Sequence, residues 1–116
     1  MSAPHPATVL FVYGTLAPGE ENAHIMDGMD GTWHKATVRG QRISTGWGVH
    51  KGHPGLIPNA QGAAIEGLVF ISDDLPNHWQ RLDVFEGEDY QRVRIPARLS
   101  NGDIIQAYVY RVITPS

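Results

Sequence analysis

The chain has 116 residues, a net charge of −3, 41% hydrophobic residues and 18% charged residues. Those proportions describe one soluble globular domain, long enough to bury a modest core without disulfides or metal. The absence of cysteine excludes a disulfide framework, a thiol nucleophile and a thiolate metal site, and the absence of a Lys/Arg cluster argues against nucleic acid or an anionic membrane surface as the main partner.

Met1 to Ala7 carries two prolines and no apolar pattern, so residues 1–7 read as a loose, flexible tail and residues 8–116 as a single domain. The N-terminal apolar run is too short for a signal-peptide core or a membrane span and has no basic leader, and the expectation is a cytoplasmic protein. Thr8–Tyr13, "TVLFVY", is continuously apolar and β-rich, the pattern of a strand buried on both faces, and Gly14 breaks it. A turn at Pro18–Gly19 precedes a short helix near Glu20–Met26. Thr32–Ser44 is a mixed stretch with strand character. Gly46–Gly62, rich in Gly and Pro, reads as loop. Ala63–Ser72, "AAIEGLVFIS", is a strand.

Asp73 or Asp74 then offers an N-cap, with Pro76 just inside the first turn. Leu75, Trp79, Leu82 and Phe85 recur at helical spacing, which predicts a helix over Leu75–Phe85 with Gly87 as its C′ residue. "RVRIPARL" alternates cleanly, Asn101–Gly102 supplies a hairpin turn, and "DIIQAYVYRVI" returns; Pro96 puts the first of these strands at an edge or a bulge. One helix between strands cannot build a doubly wound parallel sheet. The fold class is therefore α+β: a small mixed, largely antiparallel β-barrel with one or two short helices.

Three features bear on chemistry. "FVYGTL", Phe11–Leu16, ends a buried strand in Tyr13–Gly14–Thr15. Consecutive N–H groups at such a turn suit a carboxylate or an oxyanion, and a plain strand-to-turn junction fits the same residues. Next, Glu86, Glu88 and Asp89 cluster where the helix ends. The helix dipole disfavours anions there, so Glu86 should hold its proton more tightly, which suits general acid/base work; an exposed, water-screened acidic turn is the plainer reading. Finally, His50 and His53 have H-x-x-H spacing in a loop with no helix to align their rings, and His24 and His34 lie elsewhere, so no metal site is expected. There is no G-x-S-x-G, P-loop or G-x-G-x-x-G.

With these residues in view, the chain resembles the gamma-glutamylcyclotransferase-like family, in the small bacterial branch close to the gamma-glutamylamine cyclotransferases. The resemblance runs from Thr8 to Val112. The family's Tyr-Gly-Ser/Thr-Leu is matched by Tyr13, Gly14, Thr15 and Leu16, and its Pro-Gly/Ala-apolar stretch by Pro54, Gly55, Leu56 and Ile57. A "V-x-G-E-V-Y"-like strand is matched by "AIEGLVF", with Phe70 where Tyr is common. "L-D-x-F-E" followed by "Y-x-R" is matched by Leu82, Asp83, Phe85, Glu86, Tyr90 and Arg92.

The resemblance implies a small mixed barrel with a ligand cavity at one end. It implies a gamma-glutamyl substrate that cyclises to 5-oxoproline by intramolecular aminolysis, without cofactor or metal. Glu86 takes the role of general acid/base. The Tyr13–Leu16 turn binds the substrate through backbone N–H groups, and Tyr90 joins the substrate-binding residues. Trp33, Trp47 and His50 are left between contacting the leaving group and packing. A non-catalytic small-molecule binding module on the same fold stays open beside the enzyme. The preferred amine and the existence of a homodimer are not read from the sequence.

Overall fold

The computed structural model describes residues 5–13, 23–44, 54–87 and 90–113. Its first strand, β1 (Val9–Val12), is buried at every position, as a continuous run of apolar β-formers requires. The reason is that each face meets a different apolar layer. Val9 and Phe11 join Val38, Val69, Ala107 and Val109, whereas Leu10 and Val12 join Leu75, Trp79 and Leu82.

The other elements are β2 (Thr32–Ser44), β3 (Pro54–Pro58), β4 (Ala63–Ile71), α1 (Trp79–Glu86), β5 (Tyr90–Leu99) and β6 (Ile104–Val112). β4 pairs antiparallel with both β2 and β1. β1 lies parallel to β6, with Leu10 opposite Tyr108. β6 forms an antiparallel hairpin with β5, and β5 returns to β2 at Ala36–Leu99 and Thr37–Arg98. The sheet thus closes as a five-stranded barrel, β2-β4-β1-β6-β5, with β3 laid along the far end of β2. Among the described pairings only β1–β6 is parallel, so the expected mixed, largely antiparallel α+β barrel is what the chain forms.

Several boundaries differ from expectation for identifiable reasons. Of the segment expected as a loose tail, residues 1–4 lie outside the described residues, and Pro6–Thr8 is a 3-10 turn whose Ala7 carbonyl accepts a 2.9 Å bond from the Trp79 indole. Gly46–Gly62 is not all loop: Pro54–Pro58 is a strand. Its prolines sit at the two ends of β3, where a missing N–H costs little, and Leu56 between them is fully buried. The helix near Glu20–Met26 is a 3-10 turn over Ala23–Met26; residues 20–22 lie outside the described residues.

The segment expected as one helix over Leu75–Phe85 divides into a 3-10 turn, Leu75–Asn77, and α1, with His78 between them at φ −120°, ψ −3°. Asp74 does not cap it. Its carboxylate instead accepts the Asp30 N–H at 2.8 Å, and Ser72 accepts the Asp74 N–H at 3.1 Å. Gly87 ends α1 at φ +80° and donates its N–H to the Asp83 carbonyl at 3.0 Å, a left-handed position that glycine adopts without strain. Pro96 stands opposite Gln106 in an unbroken β5–β6 register, on a stretch of β5 whose other side is an edge.

Candidate active site at the end of the barrel

Tyr13 follows directly on β1, and its hydroxyl donates to the Tyr110 carbonyl of β6 at 2.7 Å. Its ring stacks on Phe11 with centroids 6.3 Å apart, which carries the inward row of β1 out to the end of the barrel. Glu86 arrives from a different element. It is the last residue of α1 and is half-buried. Tyr13 and Glu86 are far apart in sequence, yet the Glu86 charge acts on the Tyr13 phenol, as does Tyr90 at the start of β5.

The electrostatics follow from burial. Burial pushes the Glu86 carboxyl up from its ordinary 4.5 to about 7, because a charge in a poorly hydrated setting loses solvation. Among the described residues no cation or hydrogen-bond donor pairs with that carboxylate. Burial likewise raises Tyr13, and the negative charge of Glu86 raises it further; the Leu56 backbone and Arg42 act in the opposite direction without overcoming this. Tyr110 is raised by burial and then by its hydrogen bond to Asp83. Both phenols therefore stay protonated near neutral pH, whereas burial brings the Glu86 carboxyl into that range.

Behind Glu86 lies a set of contacts that the sequence did not single out. Asp83 accepts the Tyr110 hydroxyl at 2.6 Å and pairs with Arg92 through Nε at 3.1 Å and Nη2 at 3.3 Å. The Arg92 guanidinium stands 4.5 Å from the Trp79 ring centroid and 5.0 Å from that of Tyr108. Two signals were available: Asp83 sits one helical turn before Glu86, and Arg92 is the second residue of β5 after Tyr90. Neither names Tyr110, whose contribution depends on the β5–β6 register placing it opposite Arg92.

The remaining sequence candidates divide. The structure brings Tyr13, Glu86 and Tyr90 to one end of the barrel. Gly14, Thr15 and Leu16, and likewise Glu88, Asp89, Trp47, His50 and His53, lie outside the described residues. Trp33 packs on Phe70 with ring centroids 4.7 Å apart, a core contact. His34 shares a 2.8 Å hydrogen bond with Thr32 and takes no part in the site. Among the described residues no three His, Asp or Glu side chains stand close enough to hold a metal ion, and no helix is long and apolar enough to cross a membrane.

A carboxyl poised near neutrality, within electrostatic reach of Tyr13 at the end of a closed barrel, is equipped to take a proton and return it. The family described as "Gamma-glutamyl cyclotransferase, AIG2-like" matches residues 10–115. No curated protein matches the sequence. Among solved structures the chain is similar to YkqA from Bacillus subtilis, at 27% identity and a TM-score of 0.69, covering 90% of this chain and 35% of that one. The chain thus spans about a third of YkqA's length. It is similar in fold to an AIG2-like protein from Mus musculus, at 24% identity and a TM-score of 0.70, covering 94% of this chain and 79% of that one. A similar fold, at 16% identity and a TM-score of 0.61 over 92% of this chain and 67% of the other, is that of a gamma-glutamyl cyclotransferase. With all but its two ends matched by the family's pattern and its barrel shared with these structures, the chain belongs to the gamma-glutamyl cyclotransferase, AIG2-like family.

Proposed function

We propose that the protein is a cyclotransferase that releases 5-oxoproline from gamma-glutamyl amines or gamma-glutamyl dipeptides, with Glu86 as the general acid/base. One observation carries the reading: a half-buried carboxylate with no partner among the described residues, pushed up to about 7 by burial, stands beside Tyr13 at the end of β1.

The chemistry needs such a group twice. The substrate's α-amine is an ammonium in neutral water and must lose a proton before it can attack. Glu86 as carboxylate accepts that proton. The free amine then adds to the γ-carbonyl carbon and closes a five-membered ring, and the carbonyl oxygen becomes an oxyanion. Collapse of this intermediate breaks the bond to the leaving nitrogen, which takes the proton back from Glu86; the regenerated carboxylate then accepts the surplus proton of the ring nitrogen and passes it to the released amine, which departs as an ammonium. The products are 5-oxoproline and an amine, or an amino acid when the substrate is a dipeptide. A carboxyl with a midpoint near the working pH is populated in both forms, the condition under which one residue serves both steps. Because the attack is intramolecular, binding the chain in a folded-back conformation supplies much of the rate.

The other assignments belong to the same proposal. N–H groups of residues 14–16 receive the substrate's polar groups, and Tyr90 borders the pocket. Neither cofactor nor metal enters any step.

The test is 5-oxoproline release from a panel of gamma-glutamyl amines and dipeptides by the parent, Glu86→Gln, Glu88→Gln and Asp89→Asn. Loss of a positioned acid/base lowers turnover by roughly 10²–10⁴-fold, so Glu86→Gln alone should fall that far. Release by none of the proteins would leave a binding module, and equal loss in a neighbouring variant would move the base to another residue.

A further inference from the structure

Helix α1 has only eight residues and ends on the acid it presents. Two turns of helix are not stable by themselves in water, and helix ends fray first. Glu86 adds a reason to fray, since a carboxylate there meets the negative end of the helix dipole and loses hydration. Unwinding one turn would release it to solvent. Something must hold the last turn in place.

In that turn Phe85 packs against the apolar layer, and the polar side-chain contacts among the described residues converge on Asp83, one turn before Glu86. The Tyr110 hydroxyl of β6 donates to one carboxylate oxygen at 2.6 Å, and Arg92 of β5 pairs with both oxygens at 3.1 and 3.3 Å. Arg92 is itself held, with its guanidinium 4.5 Å from the Trp79 centroid and 5.0 Å from the Tyr108 centroid. Trp79 is the first residue of α1, and its indole donates to the Ala7 carbonyl at 2.9 Å. One guanidinium therefore touches the first turn of the helix, its last turn and the hairpin beneath.

We infer that the Asp83–Arg92–Tyr110 cluster is a positioning device that holds the last turn of α1 against β5 and β6 and so keeps Glu86 beside Tyr13. The inference rests on the proposed function for its catalytic consequence, though not for its geometry. Asp83, Arg92 and Tyr110 are positioning residues acting through Glu86. Among the described residues, the charged and titratable groups around this end are Tyr13 just after β1, Arg42 of β2, Tyr90 and Arg92 of β5, Tyr110 of β6 and Asp83 of α1. Only a change that spares all their charges isolates the clamp.

Tyr110→Phe is that change. The ring stays, the bond to Asp83 is lost, and no charge near neutral pH is altered. The readout is the titration midpoint of the Glu86 side-chain carboxyl, followed by carbon NMR, which requires no turnover. If the clamp holds Glu86 out of water, its midpoint should fall from about 7 by at least about one unit in Tyr110→Phe. Asp83→Ala should lower it at least as far, partly by removing a neighbouring negative charge. Ile105→Ala, in the barrel interior, serves as the control for general loosening at a matched loss of melting temperature, and its Glu86 midpoint should stay within about 0.3 units of the parent. If Asp83→Ala does not fold, Tyr110→Phe decides. An unchanged midpoint in folded Tyr110→Phe, or an equal fall in the Ile105→Ala control, overturns the inference. A parent that releases no 5-oxoproline overturns the proposed function, while the titration still decides whether the cluster positions Glu86.

Discussion

Replacing Glu86 with Gln should make the protein more stable, and the gain should depend on pH. In the folded protein the carboxyl titrates at about 7 against an ordinary 4.5. Between those values the folded state binds more protons than the unfolded state, so stability falls as pH rises through the window and the whole cost is present above it. A difference of 2.5 units, at 1.36 kcal/mol each, gives about 3 kcal/mol as an upper figure for a half-buried group. Gln has similar shape and no charge to desolvate. Near pH 8 the variant should be more stable by up to about 3 kcal/mol, a rise in melting temperature of order 10 °C for a domain of this size. Near pH 4, where the parent carboxyl is protonated in both states, the advantage should vanish. Thermal or urea melts of both proteins from about pH 4 to 8 measure this directly. If the two differ no more at the upper end than at the lower, Glu86 is not held in the environment described, and its suitability as a proton shuttle goes with it.

Other substitutions probe the frame around it. Tyr13→Phe keeps the stack on Phe11 but removes the 2.7 Å bond to the Tyr110 carbonyl; denaturant unfolding should show a loss of about 1 kcal/mol, and a loss near zero would mean the hydroxyl does not anchor the ring. Gly67→Ala puts a Cβ against the Val12 carbonyl and 2.6 Å from the Phe11 ring, overpacking that should cost about 1–3 kcal/mol; a neutral result would show that β1 and β4 give way more easily than their register suggests.

Legibility differed by the kind of signal each element carries. The buried strand at Thr8–Tyr13 and the Arg92–Val112 hairpin were plain because an unbroken apolar run, and alternation around Asn101–Gly102, are local patterns. β3 was missed because Pro54, Gly55 and Pro58 look like loop residues; pairing along β2 makes them a strand, and pairing is not local. Asp74 looked like an N-cap, but the neighbouring chain at Asp30 takes its carboxylate. At the site, Glu86 could be singled out because an acid at a helix C-terminus violates a local preference. The contacts of Asp83 could not, since they come from β5 and β6 and depend on barrel closure. Family resemblance, rather than residue physics, supplied the roles of Gly14, Thr15, Leu16 and Tyr90.

The most direct test of the account is the pH dependence of kcat/KM for 5-oxoproline release from a gamma-glutamyl amine, parent against Glu86→Gln. The base must be ionised in the free enzyme to accept the ammonium proton, so the parental rate should rise with pH and level off with a midpoint near 7, the value to which burial lifts Glu86. In Glu86→Gln that limb should disappear and the plateau should fall by roughly 10²–10⁴-fold. A variant that keeps the limb at the same midpoint, or turns over near the parental rate, would contradict the assignment of proton transfer to Glu86.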